Sequence, residues 1–243
     1  MAPTNRTQNA SPTQDNNNDD VRVVVATRQH REGLIRLMRD CFLPREPIEA
    51  TLGTTWEEAR ESVECEIDTI LSQPFSFVAV HPIEGVVGCR TTRYIRIDAD
   101  RPDDPNDFVI AVGDAPTLCV FQKMSAQLMK GWARELSDRG VRTALQFITL
   151  CVDERFANRG IAKRMVEETM RLADRLRVDC AFALATNCVS QRVLQKAGFV
   201  AWRSLNYEDI VDEGTGRPYV VPQDGSRSLK WVVKVYGRQS TSG

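Results

Sequence analysis

The sequence predicts a single mixed α/β domain, and three observations carry that expectation. Along the chain, strand-like runs and helical periodicity follow one another as strand, two helices, several strands, helix, strand, helix, strand, strand. Neither an internal repeat nor a break in composition follows Val21. The 243 residues, 42% of them hydrophobic, suffice to bury one substantial core or at most two small ones. The domain is expected over residues 21–238.

Each element has its own signal. Residues 1–20 are Asn, Asp, Thr, Pro and Gln with no apolar segment, and read as a disordered tail, neither a signal peptide nor a transit helix. The β-branched run at residues 21–25 reads as a strand. Thr27 then caps a helix with Leu34, Leu37, Met38 and Cys41 on one face. Pro44 and Pro47 close that helix and fix a stiff P-R-E-P turn. Thr54 or Thr55 caps a second helix, to about Leu71, with Ala59, Val63, Ile67, Ile70 and Leu71 as its stripe; Pro74 stops it. Residues 75–80 and 86–97 form a hairpin of strands, and the Asp- and Pro-rich residues 98–107 a surface loop.

One helix is expected near residues 121–136, ended by Arg139-Gly140. A nearly continuous apolar strand over residues 144–152 should be buried on both faces. The helix at residues 161–176 carries Ile161, Met165, Leu172 and Leu176 on one side. Residues 180–185 form another buried strand. A short helix over residues 190–196 ends at Gly198, a natural left-handed cap. Residues 200–207 and 230–236 supply two final strands.

Composition excludes several functions. The net charge of −1 and a pI near 6.2 leave no basic field for nucleic acid or an anionic membrane. No apolar stretch approaches the ~20 residues that span a bilayer. The seven cysteines are an odd set without C-x-x-C, mostly inside apolar runs, which points to free thiols in a reducing compartment, the cytoplasm. His30 and His81 are the only histidines and lie far apart, so no metal site is expected. Glycosylation at Asn5 or Asn9 is not expected without a secretory signal. G-x-G-x-x-G and G-x-x-x-x-G-K-[ST] are both absent, which removes an unrelated nucleotide-binding module.

The chemistry concentrates in residues 150–165, L-C-V-D-E-R-F-A-N-R-G-I-A-K-R-M. A buried strand runs through a short loop and a glycine into a helix. The first amides of a helix have no intrahelical partner, and its dipole places partial positive charge there. Gly160 adds no side chain to keep an anion away, and Arg155, Arg159, Lys163 and Arg164 add positive potential. Together they make a diphosphate cradle. The glycine by itself fits an ordinary strand-to-helix turn equally well.

This segment resembles the coenzyme-binding motif of the GCN5-related N-acetyltransferase (GNAT) superfamily, R/Q-x-x-G-x-G/A after the fourth strand. Gly160 and Ala162 match its second half. Ala157 stands where Arg or Gln is usual and Asn158 where glycine is frequent; Arg155 is expected to supply the charge. Downstream, residues 185–199, A-T-N-C-V-S-Q-R-V-L-Q-K-A-G-F, are similar to the superfamily's second signature through Asn187, Ser190 and the closing K-A-G-F. Within the superfamily the chain looks most like the invertebrate arylalkylamine (dopamine) N-acetyltransferases. L-C-V-D, R-G-I-A and S-x-R-V-L-Q-K-A-G-F parallel that group's wording. Leu194 stands where many relatives have a thiolate-protonating Tyr, and R-E-P-I at residues 45–48 resembles the group's D-E-P-L turn.

The resemblance implies a central, mostly antiparallel sheet flanked by helices, the GNAT acyl-coenzyme A N-acyltransferase fold. It implies acetyl transfer from acetyl-CoA, as cosubstrate, to a small primary amine, an arylalkylamine such as dopamine, tyramine or serotonin. Leu150, Cys151, Val152, Ala157, Asn158, Arg159, Gly160, Ile161, Ala162, Lys163 and Asn187 are the expected coenzyme contacts. Glu46 is the expected general base, held at one orientation because the residue before Pro47 is confined to extended angles. Elsewhere such a residue is a solvated turn glutamate. Backbone N–H groups near residues 150–152 are expected to face the thioester oxygen.

Ser190 is the candidate proton donor to the departing sulfur, unless it merely caps its helix; Thr186 is a weaker one. A covalent scheme through Cys151 or Cys188 lacks a nearby histidine. Phe42, Trp56, Trp202 and Tyr207 are candidates for an aromatic amine pocket, with core packing as their ordinary role. Partners other than acetyl-CoA and the amine are not expected, and the chain is expected to be a monomer or weak dimer. The alternatives are the same fold acting on a polyamine or other amine, and an acyl-CoA-binding protein without catalysis.

Overall fold

The computed structural model describes residues 20–104, 108 and 116–236. The expected tail, the two glycosylation motifs and the end of the 98–107 loop fall outside the described residues. Among the described residues, seven strands form one sheet in the order β1-β2-β3-β4-β5-β7-β6. They are β1 (Arg22–Val25), β2 (Phe77–His81), β3 (Gly85–Arg96), β4 (Thr143–Val152), β5 (Cys180–Ala185), β6 (Val200–Asn206) and β7 (Ser228–Val235). Every pairing is antiparallel except β4 with β5, which is parallel.

Helices cover both faces. On one lie α1 (Arg31–Leu37), α3 (Trp56–Leu71), α4 (Pro116–Leu128) and α5 (Trp132–Asp138), with the short α2 (Pro47–Leu52) against α4. On the other lie α6 (Ile161–Leu176) and α7 (Cys188–Lys196). Alternation along the strands feeds the two cores. Ala144, Cys180 and Phe182 face α4 and α5, while Leu145, Phe147, Ala181 and Ala183 face α6 and α7. Phe182 is fully buried, with ring centroids 6.2 Å from Phe108 and 5.8 Å from Trp132. Phe182→Ala should therefore lower unfolding free energy by about 3–5 kcal/mol, read from urea denaturation.

Several elements differ from expectation for local reasons. Thr27 caps a 3-10 turn over Arg28–His30, its N–H 3.0 Å from His30 Nδ1, before α1 begins. The chain beyond α1 continues as one π-helical turn, Met38–Phe42. The P-R-E-P segment is no mere turn: Pro47 occupies the first position of a helix, where its missing N–H costs nothing. The helix foreseen near residues 121–136 is two, because Gly131 adopts φ +71° between them. In α6 the buried face is Ile161, Met165, Val166, Thr169 and Ala173; Leu176 is exposed. The α7 helix starts at Cys188 with Asn187, not Ser190, as its cap. Among the described residues no helix is long and apolar enough to cross a membrane.

The feature that makes a site is a parting of two strands. β4 and β5 pair only from Ala144↔Cys180 to Phe147↔Ala183. Just beyond, β3 residues Arg90 and Thr92 oppose β4 residues Leu150 and Phe147. Two steps on β3 thus face three on β4, a bulge that bends β4 away from β5. The expectation that residues 144–152 are buried on both faces holds to Phe147. Past it, half-buried and buried residues alternate, because β5 no longer covers that edge.

Candidate active site

A cavity of about 180 Å³ opens where β4 and β5 part. Glu46, Glu49, Glu66, Phe42, Phe108 and Phe121 line it from the face of α1 to α5. Phe147, Leu150, Ala185, Ser190 and Leu194 line it from the α6 and α7 face, so it reaches through the sheet.

Glu46 is the N-cap of α2, at φ −66° and ψ 127°, the extended backbone expected before proline. Its Oε2 accepts from the N–H of Ile48 at 2.8 Å and of Glu49 at 2.9 Å. Its Oε1 is buried without a hydrogen bond, and the residue is only 7% exposed, so the solvated-turn reading falls. Burial pushes the carboxyl up to about 7; the Glu49 N–H and the nearby Thr186 side chain pull the other way. Thr186 exerts this pull without a hydrogen bond of normal geometry to Oε1. Arg45 pins the turn, donating from Nη2 to the Val152 carbonyl at 2.9 Å and from Nε to the Cys41 carbonyl at 2.5 Å.

Glu66, on α3, accepts from the Thr149 hydroxyl at 3.4 Å, and burial raises its carboxyl to about 7. Sequence reasoning missed it, though a signal exists. Glu66 is three residues past Val63 and next to Ile67, on the buried stripe of α3. Glu49, Phe108, Phe121 and Phe147 were also missed; of the four aromatic candidates, only Phe42 lines the cavity. Trp202 instead packs on Trp231 with centroids 5.2 Å apart, and the Tyr207 hydroxyl donates to the Thr186 carbonyl at 2.6 Å.

The Ser190 hydroxyl donates to the Asn187 carbonyl at 3.0 Å, and its N–H to Asn187 Oδ1 at 2.7 Å. Ser190 therefore sits in the first turn of α7 and lines the cavity, while Asn187 does the capping. Asp153 N–H donates to the Val87 carbonyl, and Cys89 pairs with Cys151 two residues on. Alternation in an antiparallel ladder then turns the N–H groups of Leu150 and Val152 away from β3, toward the parted edge, and that of Cys151 toward β3. Cys151 is buried, its thiol pushed up to about 12 by desolvation, which leaves no thiolate for a covalent scheme. Cys188 lies 4.0 Å from the Asp224 carbonyl.

At the start of α6, Gly160 is the N-cap at φ +71°, with no side-chain cap and no acidic residue in the first turn. The amides of Ile161, Ala162 and Lys163 thus begin a helix with no side-chain competitor. Asn158 is also left-handed, at φ +60°. Asparagine tolerates that region better than most residues, so Asn158 fits it. Arg155 departs from expectation. Asp153 at 2.7 Å and Glu84 at 2.9 Å neutralise it, so it supplies no free charge. Arg164 is turned to the Val21 carbonyl at 2.9 Å. Arg159 and Lys163 remain beside the helix start, Lys163 3.7 Å from Glu167.

A scan against protein-family models and a sequence search of curated proteins give no match. Solved structures do match. Arylalkylamine N-acetyltransferase 2 from Aedes aegypti superposes with a TM-score of 0.73 at 20% identity, over 90% of this chain and all of that one. A Drosophila melanogaster polyamine N-acetyltransferase that forms N-acetylagmatine gives 0.62 at 18%, over 89% and all of that chain. Arabidopsis thaliana NAA60 in complex with acetyl-CoA gives 0.52 at 16%, over 89% and 99%. The chain has the fold of these proteins, the GNAT fold that the resemblance implies.

Proposed function

We propose that this chain transfers the acetyl group of acetyl-CoA to a small primary amine, an arylalkylamine such as dopamine, tyramine or serotonin. The observation that carries the reading is the buried Oε1 of Glu46, free of hydrogen bonds, at a cavity opening where β4 and β5 part. A primary ammonium has a pKa near 10 and must lose a proton before its nitrogen can attack. Glu46, raised to about 7, takes that proton.

The coenzyme supplies the activated thioester. The α6 amides, with Gly160, Arg159 and Lys163, hold its diphosphate, and Asn158 and Ala157 shape the loop before them. Leu150 and Val152 N–H groups steady the negative charge that builds on the thioester oxygen. Ser190 returns a proton to the departing sulfur, with Thr186 next to Glu46 as a polar neighbour. Asn187 holds Ser190 in place. The seven free thiols support a cytoplasmic setting.

What the Aedes protein is named for supports the arylalkylamine acceptor, as do Phe42, Phe108 and Phe121 in the cavity. A second reading, a polyamine or guanidino amine, is favoured by Glu49 and Glu66 on the same wall, which offer a distant cation its partner.

Thiol release from acetyl-CoA with tyramine, dopamine, serotonin, spermidine and agmatine tests the activity and ranks the two readings. Silence with every amine leaves only coenzyme binding. The rate constant kcat/KM should climb about tenfold per pH unit below 7 and level off above it, as the Glu46 carboxyl loses its proton. A profile without a break between pH 6 and 8 removes Glu46 from the proton transfer.

A further inference from the structure

Arg90, on β3, lines the cavity as a cation to which the scheme above gives no task. It is 2% exposed. Its Nη1 donates to the Thr149 carbonyl at 2.8 Å, and its guanidinium carbon lies 3.9 Å from the centroid of the Phe147 ring. Nε and Nη2, both buried, make no hydrogen bond. Burial pushes the group down to about 9, which leaves it charged at neutral pH.

The two idle nitrogens share one edge of the guanidinium, an edge that takes neutral oxygens at Arg45 and Arg93 and carboxylates at Arg31 and Arg39. Arg31 grips Asp68 with Nε at 2.8 Å and Nη2 at 3.1 Å. Arg39 grips Asp40 with the same pair of atoms at 2.6 and 3.0 Å. Unlike these, Arg90 lines a cavity while its Nε and Nη2 lie buried without a partner.

The cavity's carboxylates do not fill it. Glu66 is reached by the Thr149 side chain on the α3 face, whereas Arg90 stacks on Phe147, which belongs to the core under α6 and α7. A buried cation with two unfilled donors is expensive to keep unless a ligand completes it. An acetyl group or a pantetheine amide offers one neutral oxygen, which can meet both donors, as Gln146 Oε1 does for Arg93, but leaves the charge unpaired. A carboxylate offers two oxygens in the matching plane.

We infer that the Nε/Nη2 edge of Arg90 binds a carboxylate carried by one of the two substrates. The inference rests on the transferase reading of the cavity. Two sources share this chemistry: an acyl donor that is the monothioester of a dicarboxylic acid, and an acceptor that is an amino acid. Arg90 stands on the face of α6, where the proposed diphosphate cradle lies, and this favours the donor.

The test compares matched pairs on the full chain. One arm sets succinyl-CoA and malonyl-CoA against acetyl-CoA with tyramine; the other sets tyrosine against tyramine with acetyl-CoA. In the arm that supplies the natural carboxylate, the ratio of kcat/KM, carboxylate-bearing over carboxylate-free, should fall about 10²-fold or more in Arg90→Met. Arg90→Lys keeps the charge but loses the fork, and should recover part of the ratio. A merely structural role lowers both members of a pair alike, and an unmoved ratio overturns the inference.

Calorimetric titration of each pair separates this inference from the transferase reading. Tighter binding of a carboxylate-bearing partner, lost in Arg90→Met, sustains the inference even if no thiol is released, an outcome that sinks only the transferase reading. Equal affinity within every pair, with thiol release intact, overturns the inference alone.

Discussion

Glu46→Gln lowers kcat by about 10²–10⁴-fold with every accepted amine, the range a positioned general base contributes. The substitution is nearly isosteric. Its amide oxygen still accepts from the N–H groups of Ile48 and Glu49, so α2 keeps its cap. What disappears is the atom that holds a proton, and with it the break in the pH profile. With the proposed diphosphate cradle at the start of α6, on the opposite face of the sheet, coenzyme affinity should change little in titration with CoA.

Stability supplies an independent readout. Folding raises the Glu46 pKa from 4.5 to about 7, so the stability this carboxyl contributes is complete below pH 4.5 and is lost as pH rises to 7. The Gln variant has no such loss. Its Tm relative to wild type should therefore rise between pH 5 and pH 8. An unchanged kcat removes Glu46 from the mechanism, whatever the Tm does.

Gly160→Asp should raise the Kd for CoA by about 10³-fold, or past detection, because a like charge placed against an anion costs several kcal/mol. The added carboxylate stands beside the α6 amides proposed to hold the diphosphate. The fold should survive. A Cβ at Gly160 meets nothing within 4 Å, and the φ of +71° costs a non-glycine residue about 1–3 kcal/mol. Gly160→Asn imposes similar strain without the charge, and should bind CoA more tightly than the Asp variant. Undiminished heat from CoA in Gly160→Asp places the diphosphate elsewhere and takes the coenzyme reading with it.

The two halves of the site were not equally legible. Glu46 could be found because proline on either side of the R-E pair restricts the backbone locally, and Gly160 because a strand, a glycine and a helix follow one another within a few residues. Glu66 and Arg90 leave a fainter trace, a charge where the period of a helix or the run of a strand calls for an apolar residue. That trace marks burial and says nothing of what the group faces. Phe108 and Phe121 give no trace, since aromatics in apolar company are ordinarily core.

Sequence by itself determined what depends on neighbours in the chain: the strands and most helices, the extended residue before Pro47, the uncapped start of α6, and the mixed α/β order of the elements. Tertiary structure alone decided where β4 leaves β5, because the bulge opposite Arg90 and Thr92 arises from pairing between segments some sixty residues apart. Side chains from α2, α3, β3 and α7 meet at that opening only once the sheet has formed, and the desolvation that moves Glu46, Glu66 and Arg90 comes from the walls it encloses. No local pattern encodes a pKa set by remote neighbours.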